Sequence, residues 1–195
     1  MDLAALDYPE EVLKLHIEYI KAGANIIQTH TFGTSRPKLA KSGREDVFEK
    51  VNLQAAKIAR EARDITGKPV LVAGTIGPIY HYARDKEKTK EAVVEQVKLL
   101  EERGCDLIIL DTVPTIDELR IAIEAVRSVS GLIIVAQHTI PDEWSPMPEG
   151  TREQFLNKLE SLDAEFVGIN CGSGPDEYMQ ILDEWEWDES KNISM

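Results

Sequence analysis

At 195 residues, with 43% hydrophobic and 29% charged side chains, the chain has the make-up of a single folded domain large enough to bury a core. A formal charge of −13 and the lack of any Lys/Arg cluster argue against nucleic acid or an anionic membrane as a partner, since basic side chains would have to meet the phosphates. Two cysteines make no disulfide framework, no apolar run nears the ~20 residues of a membrane span, and MDLAALDYPEEVLKLH is no signal peptide, so a cytoplasmic, reducing setting is expected.

The elements alternate along the chain. Pro9 to Ala22 has helical periodicity (Val12, Leu15, Tyr19 with Leu13, Ile17, Ile20), opens on Pro and two Glu, and is closed by Gly23. A strand is expected at Ala24–Gln28, a helix at about Asp46–Thr66 stopped by Gly67, and an apolar strand at Pro69–Ala73. A helix at Lys86–Arg103 leads through Gly104 to a strand at Asp106–Leu110, and a helix at Thr115–Ser128 leads to a strand at Leu132–Ala136. A helix at Thr151–Leu162, the strand Phe166–Ile169 and a last helix at Pro175–Trp185 complete the series.

These are five strands, each followed by a helix. Strands apolar throughout are buried on both faces, and alternation with helices implies parallel strands joined by right-handed crossovers. No Gly-x-Gly-x-x-Gly or Walker sequence follows any strand, so an α/β fold of (β/α)8 barrel type is favoured over a nucleotide-binding sheet. Eight units usually need about 250 residues, so the barrel is expected to be incomplete, with about five βα units in one partial domain over 1–195.

Barrels place their chemistry where strands end. The expected strand ends are Gln28-Thr-His-Thr-Phe-Gly33, Gly74-Thr-Ile-Gly-Pro78, Asp111-Thr-Val-Pro-Thr115, Gln137-His-Thr139 and Asn170-Cys-Gly-Ser-Gly-Pro175. Together they offer a thiol, two imidazoles, a carboxylate, hydroxyls and glycine-rich backbone, which suits a small polar substrate with a possible metal.

Read in order, these segments resemble one family. His16-x-x-Tyr-Ile-x-Ala-Gly-Ala24 with Gln28-Thr-His-Thr-Phe32 is similar to the second βα unit of the homocysteine S-methyltransferases. Val51-Asn-x-x-Ala-Ala-x-Ile-Ala-Arg60 resembles the family's next helix, Ala73-Gly-Thr-Ile-Gly-Pro78 its "AGSIGP" turn, Asp111-Thr with Asp117-Glu118 its "ET…E" segment, and Gly168-Ile-Asn-Cys171 its "GxNC" strand end. The resemblance is collinear along essentially the whole chain.

It implies a zinc-bound homocysteine thiolate on a (β/α)8 barrel, methylated to methionine, with zinc held by three cysteines. Cys171 matches one, and the other two belong to a "GGCC" motif that this sequence does not contain. Zinc suits the task because a free thiol has a pKa near ~8.5 and the metal deprotonates it at neutral pH. The same resemblance makes Thr29, Phe32, Asp111 and Asn170 the expected substrate contacts, with homocysteine and a methyl donor as partners.

The departures carry information as well. The first strand with its Asp-Gly turn and the paired cysteines are missing, and Lys191–Met195 looks like the start of the family's seventh strand. Asp111 replaces the usual Glu and shortens the reach to the substrate ammonium by one methylene. Gly33 and Thr112 stand where betaine-using members place aromatic residues, so a folate–cobalamin or sulfonium donor is expected ahead of betaine. His30 and His138, unusual for the family, would join Cys171 as a substitute zinc trio if all three face one rim.

Bland readings stand beside these. Cys105 at the start of a strand and His16 within a helix read as packing residues, Asp111 also as a turn or helix cap, and Gly74 and Gly77 as tight-turn glycines. Two Trp among the acids of 183–189 have no functional reading beyond covering apolar surface. Two functions follow: a homocysteine S-methyltransferase barrel, completed by a second copy or another chain, or a non-catalytic fragment or assembly module. The isolated chain is expected to be inactive.

Overall fold

The structure, a computed structural model, describes residues 3–139, 152–172, 174–184 and 192–194. Six strands, β1 (Ile26–Gln28), β2 (Leu71–Ile76), β3 (Leu107–Val113), β4 (Ile133–His138), β5 (Phe166–Ile169) and β6 (Asn192–Ser194), form one parallel sheet in chain order. Helices α1 (Ala4–Asp7) and α2 (Pro9–Ala22) precede β1; α3 (Arg36–Lys41) and α4 (Phe48–Thr66) follow it. Next come α5 (Tyr80–Ala83) and α6 (Lys86–Glu102) after β2, α7 (Ile116–Arg127) after β3, α8 (Arg152–Glu160) after β4 and α9 (Pro175–Glu184) after β5. No helix among the described residues is long and apolar enough to cross a membrane.

The expected sequence signals set the boundaries. Pro9 opens α2, and Gly23 and Gly67, both at positive φ, close α2 and α4 in the left-handed conformation that glycine adopts cheaply. Asp85 and Thr115 cap α6 and α7, each side chain accepting the N–H three residues on.

Side chains alternate across the sheet. Val72, Ile108, Leu110, Ile134, Ala136, Val167 and Ile169 join the main core between sheet and helices. Ala73, Leu107, Ile109 and Val135, with Phe166 against them, form a separate apolar layer on the concave face, as the floor of a barrel does. At the bottom of the sheet one device occurs twice. Asp106 accepts the Val72 N–H (2.7 Å) and pairs with Arg63 (2.8 Å), and Glu165 accepts the Ile134 N–H (2.8 Å) and pairs with Arg127 (2.7 Å). An acid preceding one strand thus ties down the start of the strand before it, together with an Arg from that strand's own helix.

One expectation is corrected. Segments read as strand-end turns are strand: β2 runs on to Ile76, β3 to Val113 and β4 to His138. Their polar residues imitate a turn while the ladder continues. A sixth strand, Asn192–Ser194, pairs with β5, in line with the reading of that segment as a strand start. It lies so close that a Cβ on Gly168 would clash with the Ser194 carbonyl oxygen. Trp185 and Trp187 lie outside the described residues.

Candidate active site

The C-terminal end of β1 is held by a buried polar network. Thr31 Oγ1 donates to the Thr75 carbonyl (2.6 Å), which leaves Thr29 Oγ1 to donate to Thr31 Oγ1 (2.6 Å) while it accepts from the Thr75 N–H (3.0 Å). Behind them Asn52 of α4 donates to the Thr34 carbonyl (3.1 Å) and accepts from Thr34 Oγ1 (2.8 Å), and Gln96 of α6 donates to Asn52 Oδ1 (3.0 Å) and the Thr31 carbonyl (3.1 Å). Asn52, Gln96, Thr31 and Thr34 are fully buried. Thr29 therefore fixes the segment, while Phe32, 39% exposed, is presented at the rim.

Two glycines behave differently from turn glycines. Neither Gly74 nor Gly77 has positive φ. A Cβ on Gly77 would stand 2.5 Å from the Phe32 carbonyl oxygen and 2.8 Å from its ring, and one on Gly74 would stand 3.0 Å from Leu100. Both are needed for close approach.

The second half of the site joins β3 to β5. The β3 register shifts between Leu110 and Val113, and Thr112 takes φ 58°, a costly conformation for a β-branched residue. The result turns its hydroxyl to Asp111: Thr112 Oγ1 donates to Asp111 Oδ1 (2.8 Å), and Asn170 Nδ2 donates to Asp111 Oδ1 (2.6 Å) and Thr112 Oγ1 (3.1 Å). Asn170 Oδ1 is buried with no partner, and Asp111 Oδ2 has none among the described residues. Asp111 is thus part of a side-chain triad rather than a cap; the cap of α7 is Thr115. Cys171 follows at φ 59° with an exposed thiol, its carbonyl taking the Tyr178 hydroxyl.

A groove of about 830 Å³ runs from the outer side of β1, along α2, to Phe32, Thr75 and Asp111. His16 and His30 both line it. Burial, and secondarily the proximity of His30, lowers His16 to about 4, so it is neutral, with Nε2 unpartnered. Cys105 is buried at the foot of β3, its thiol pushed up to about 12 by burial and by Asp106, as suits a packing residue.

The proposed trio of His30, His138 and Cys171 does not assemble. His138 shares a strand face with Ile134 and Ala136, points into the helix layer, and packs edge-on against Phe155 of α8 with ring centroids 4.8 Å apart. Burial lowers it to about 4, against a smaller upward pull from the Thr139 backbone, and neither ring nitrogen has a hydrogen bond of good geometry among the described residues. No group of three His, Cys, Asp or Glu among the described residues is placed to hold a metal. Cys171 is a lone thiol there, and one donor does not fit the four-coordinate demand of zinc.

The sequence matches the homocysteine S-methyltransferase family over residues 2–195. The chain belongs to that family. It is 28% identical over 183 residues to the S-methylmethionine–homocysteine S-methyltransferase of Pongo abelii, covering 92% of this chain and 48% of that protein. Betaine–homocysteine S-methyltransferase 1 of Sus scrofa is 31% identical over 185 residues, covering 92% of this chain and 65% of that protein. The chain thus spans about half the length of the first of these relatives and under two thirds of the second. In fold it is similar to the metallated homocysteine methyltransferase MmuM of Escherichia coli, with TM-score 0.70 at 22% identity over 86% of this chain and 65% of that one. A dihydrodipicolinate synthase of Oceanobacillus iheyensis gives TM-score 0.54 at 14% identity over 94% of this chain and 53% of that one. The six strands are an arc of the barrel shared by these enzymes.

Glu118 and Asn52 lie inside the motifs quoted above, which gave them no role, and Gln96 lies outside them. Glu118 is buried and accepts the Ile79 and Tyr80 N–H groups (2.7 and 2.8 Å), holding the turn after β2 against α7. Asn52 and Gln96 left one trace, an amide inside the apolar stripe of each helix.

Proposed function

We propose that this chain contributes the central strands of a site that transfers a methyl group to the sulfur of homocysteine. The observation that carries the reading is the Asp111–Thr112–Asn170 triad, in which Asp111 Oδ2 and Asn170 Oδ1 remain as acceptors while the other polar atoms bond each other. A carboxylate and an amide oxygen fixed side by side are what an α-ammonium group requires. Thr112 and Asn170 keep the Asp111 carboxyl in place, and the sulfur end of the substrate would then extend along the rim, with Cys171 and Phe32 as its bounds. Zinc remains the metal the family suggests, and Cys171 is the thiol this chain would give it.

Calorimetric titration of the chain with homocysteine tests this. A charge-assisted hydrogen bond is worth about 1.5–3 kcal/mol, so Asp111→Asn weakens binding roughly ten- to a hundredfold. Equal affinity in the variant would remove the triad from the site. A second reading, an assembly module, is favoured by the exposed Tyr8, Leu15, Tyr19 and Ile26 along the outer side of β1. A tight oligomer that neither binds homocysteine nor turns it over would support that reading instead.

A further inference from the structure

We propose that Glu118 is a positioning residue for this site: from α7 it sets where the Phe32 wall stands, acting through the turn that follows β2. This rests on the reading of the site as a homocysteine methyltransferase site, in which Phe32 bounds the substrate. The start of α7 spells Thr115-Ile-Asp-Glu118. In that pattern the Thr caps the helix, and the Glu ordinarily reaches back to the N–H of the capping residue. Thr115 does its half, its hydroxyl accepting the Glu118 N–H at 3.1 Å. Among the described residues the bonds of the Glu118 carboxyl go elsewhere. Its Oε1 accepts the Ile79 N–H (2.7 Å) and the Tyr80 N–H (2.8 Å), 39 and 38 residues back along the chain. A group suited to a local cap is turned to a distant strand end.

That turn leads to Phe32. β2 is fixed as far as Ile76 by its pairing with Leu110, and Gly77 and Pro78 then bridge to Ile79. Gly77 lies so close to Phe32 that a Cβ on it would stand 2.5 Å from the Phe32 carbonyl oxygen and 2.8 Å from ring atoms Cδ2 and Cε2. The stretch from Gly77 to Tyr80 is thus clamped at one end by the sheet and at the other by Glu118, with Phe32 packed on Gly77. Thr31, bonded to the Thr75 carbonyl, fixes the backbone before Phe32, and Gly77 meets the ring edge. Nothing local replaces the carboxyl, because Ile79 and Tyr80 stand at the start of α5, where N–H groups have no intrahelical acceptor. Both N–H groups therefore lose their acceptor together when it is removed. Glu118 is 5% exposed, so it acts through this backbone and not by touching the substrate.

The test is fluorine NMR of the full chain carrying fluorophenylalanine, whose four phenylalanines give four signals, with Phe32 assigned from Phe32→Tyr. In Glu118→Ala the Phe32 signal shifts or broadens while those of Phe48 and Phe155 stay, and in Glu118→Gln, which keeps an acceptor, it returns to the wild-type position. Thr115→Ala removes the cap of α7 and lowers the melting temperature, yet leaves the Phe32 signal in place, which separates positioning from helix stability. Should Glu118→Ala fail to fold, Glu118→Asp, one methylene short of the two N–H groups, takes its place and moves the same signal. Calorimetric titration of the same variant shows homocysteine affinity about two- to thirtyfold weaker than in the wild type. A folded variant with an unmoved Phe32 signal would overturn the proposal. So would a signal that Thr115→Ala moves equally, or a homocysteine affinity that the variant keeps. A wild type that binds no homocysteine would remove the proposed function instead, and the ring signal alone would then decide whether Glu118 positions Phe32.

Discussion

Replacing Asn52 by Ala should loosen the whole β1 rim, and the structure fixes how much. Asn52 is fully buried and makes four side-chain hydrogen bonds: to the Thr34 carbonyl, to the Phe48 carbonyl (2.8 Å), from Thr34 Oγ1 and from Gln96. Three of these partners have somewhere else to turn. Gln96 keeps the Thr31 carbonyl, Thr34 Oγ1 keeps the Thr31 carbonyl at 3.0 Å, and the Phe48 carbonyl sits in the first turn of α4. The Thr34 carbonyl loses its amide donor. One orphaned buried acceptor costs about 1–3 kcal/mol, and the cavity left by the amide adds roughly 1 kcal/mol, so the expected loss is about 2–4 kcal/mol. For a domain of this size that is a fall in melting temperature of roughly 4–16 °C. Urea unfolding followed by circular dichroism measures it, with the exposed Lys57→Ala on the same helix as reference. A loss for Asn52→Ala below about 0.5 kcal/mol, no larger than that of a surface substitution, would refute the account of the network.

Acid should destabilise the chain through two histidines. His16 and His138 are both held near 4 in the fold, against about 6.5 when unfolded, so between pH 7 and 4 the unfolded chain takes up protons that the folded chain refuses. Each then removes roughly 3 kcal/mol as pH falls through that window, with no further loss below it. His138→Phe, packed against Phe155, should halve the slope in urea titrations at stepped pH, and an unchanged slope would show that His138 is not the titrating group. The thiols should separate cleanly: the exposed Cys171 reacts with a disulfide reagent in the native state and Cys105 waits for unfolding. A fast thiol surviving in Cys171→Ser would contradict the burial of Cys105. Gly77→Ala drives a Cβ into Phe32 and should cost about 1–3 kcal/mol, together with a shifted Phe32 ring signal in NMR; neither change would mean that the turn has slack.

The sequence carried the helices better than the strands, for physical reasons. α2 and the end of α4 coincide with the expected bounds because Pro9, Gly23 and Gly67 act locally. The upper halves of β2, β3 and β4 look like strand ends in the sequence because Thr75, Asp111 and Gln137 are polar, and what makes them strand is pairing with a neighbour far along the chain. Period-two counting from Ile134 would have turned His138 away from the rim, since a strand residue's face follows from parity alone. The left-handed backbone at Thr112 had no such signal, because a β-branched residue gives no warning of positive φ. Asp111 and Asn170 were legible as candidates through the family motif, but their meeting through Thr112 depends on the shift in β3 and could come only from the fold.

Because the six strands lie in the sheet in the order in which they occur in the chain, each strand pairs only with its neighbours in sequence. A closed barrel returns its last strand to its first and becomes one cooperative unit, whereas an open arc behaves as a linear array whose stability is a sum of local units and the interfaces between them. Opening then starts at the ends. β6, three residues long, and β1, with a single strand partner, are the first to exchange their amide protons, and β3 and β4, paired on both sides, are the last. Both halves of the site straddle that gradient: Asp111 belongs to the slow centre, while Phe32 follows the fast edge. Any added strand that paired with β1 would therefore act on the candidate site by slowing the motion of its Phe32 side.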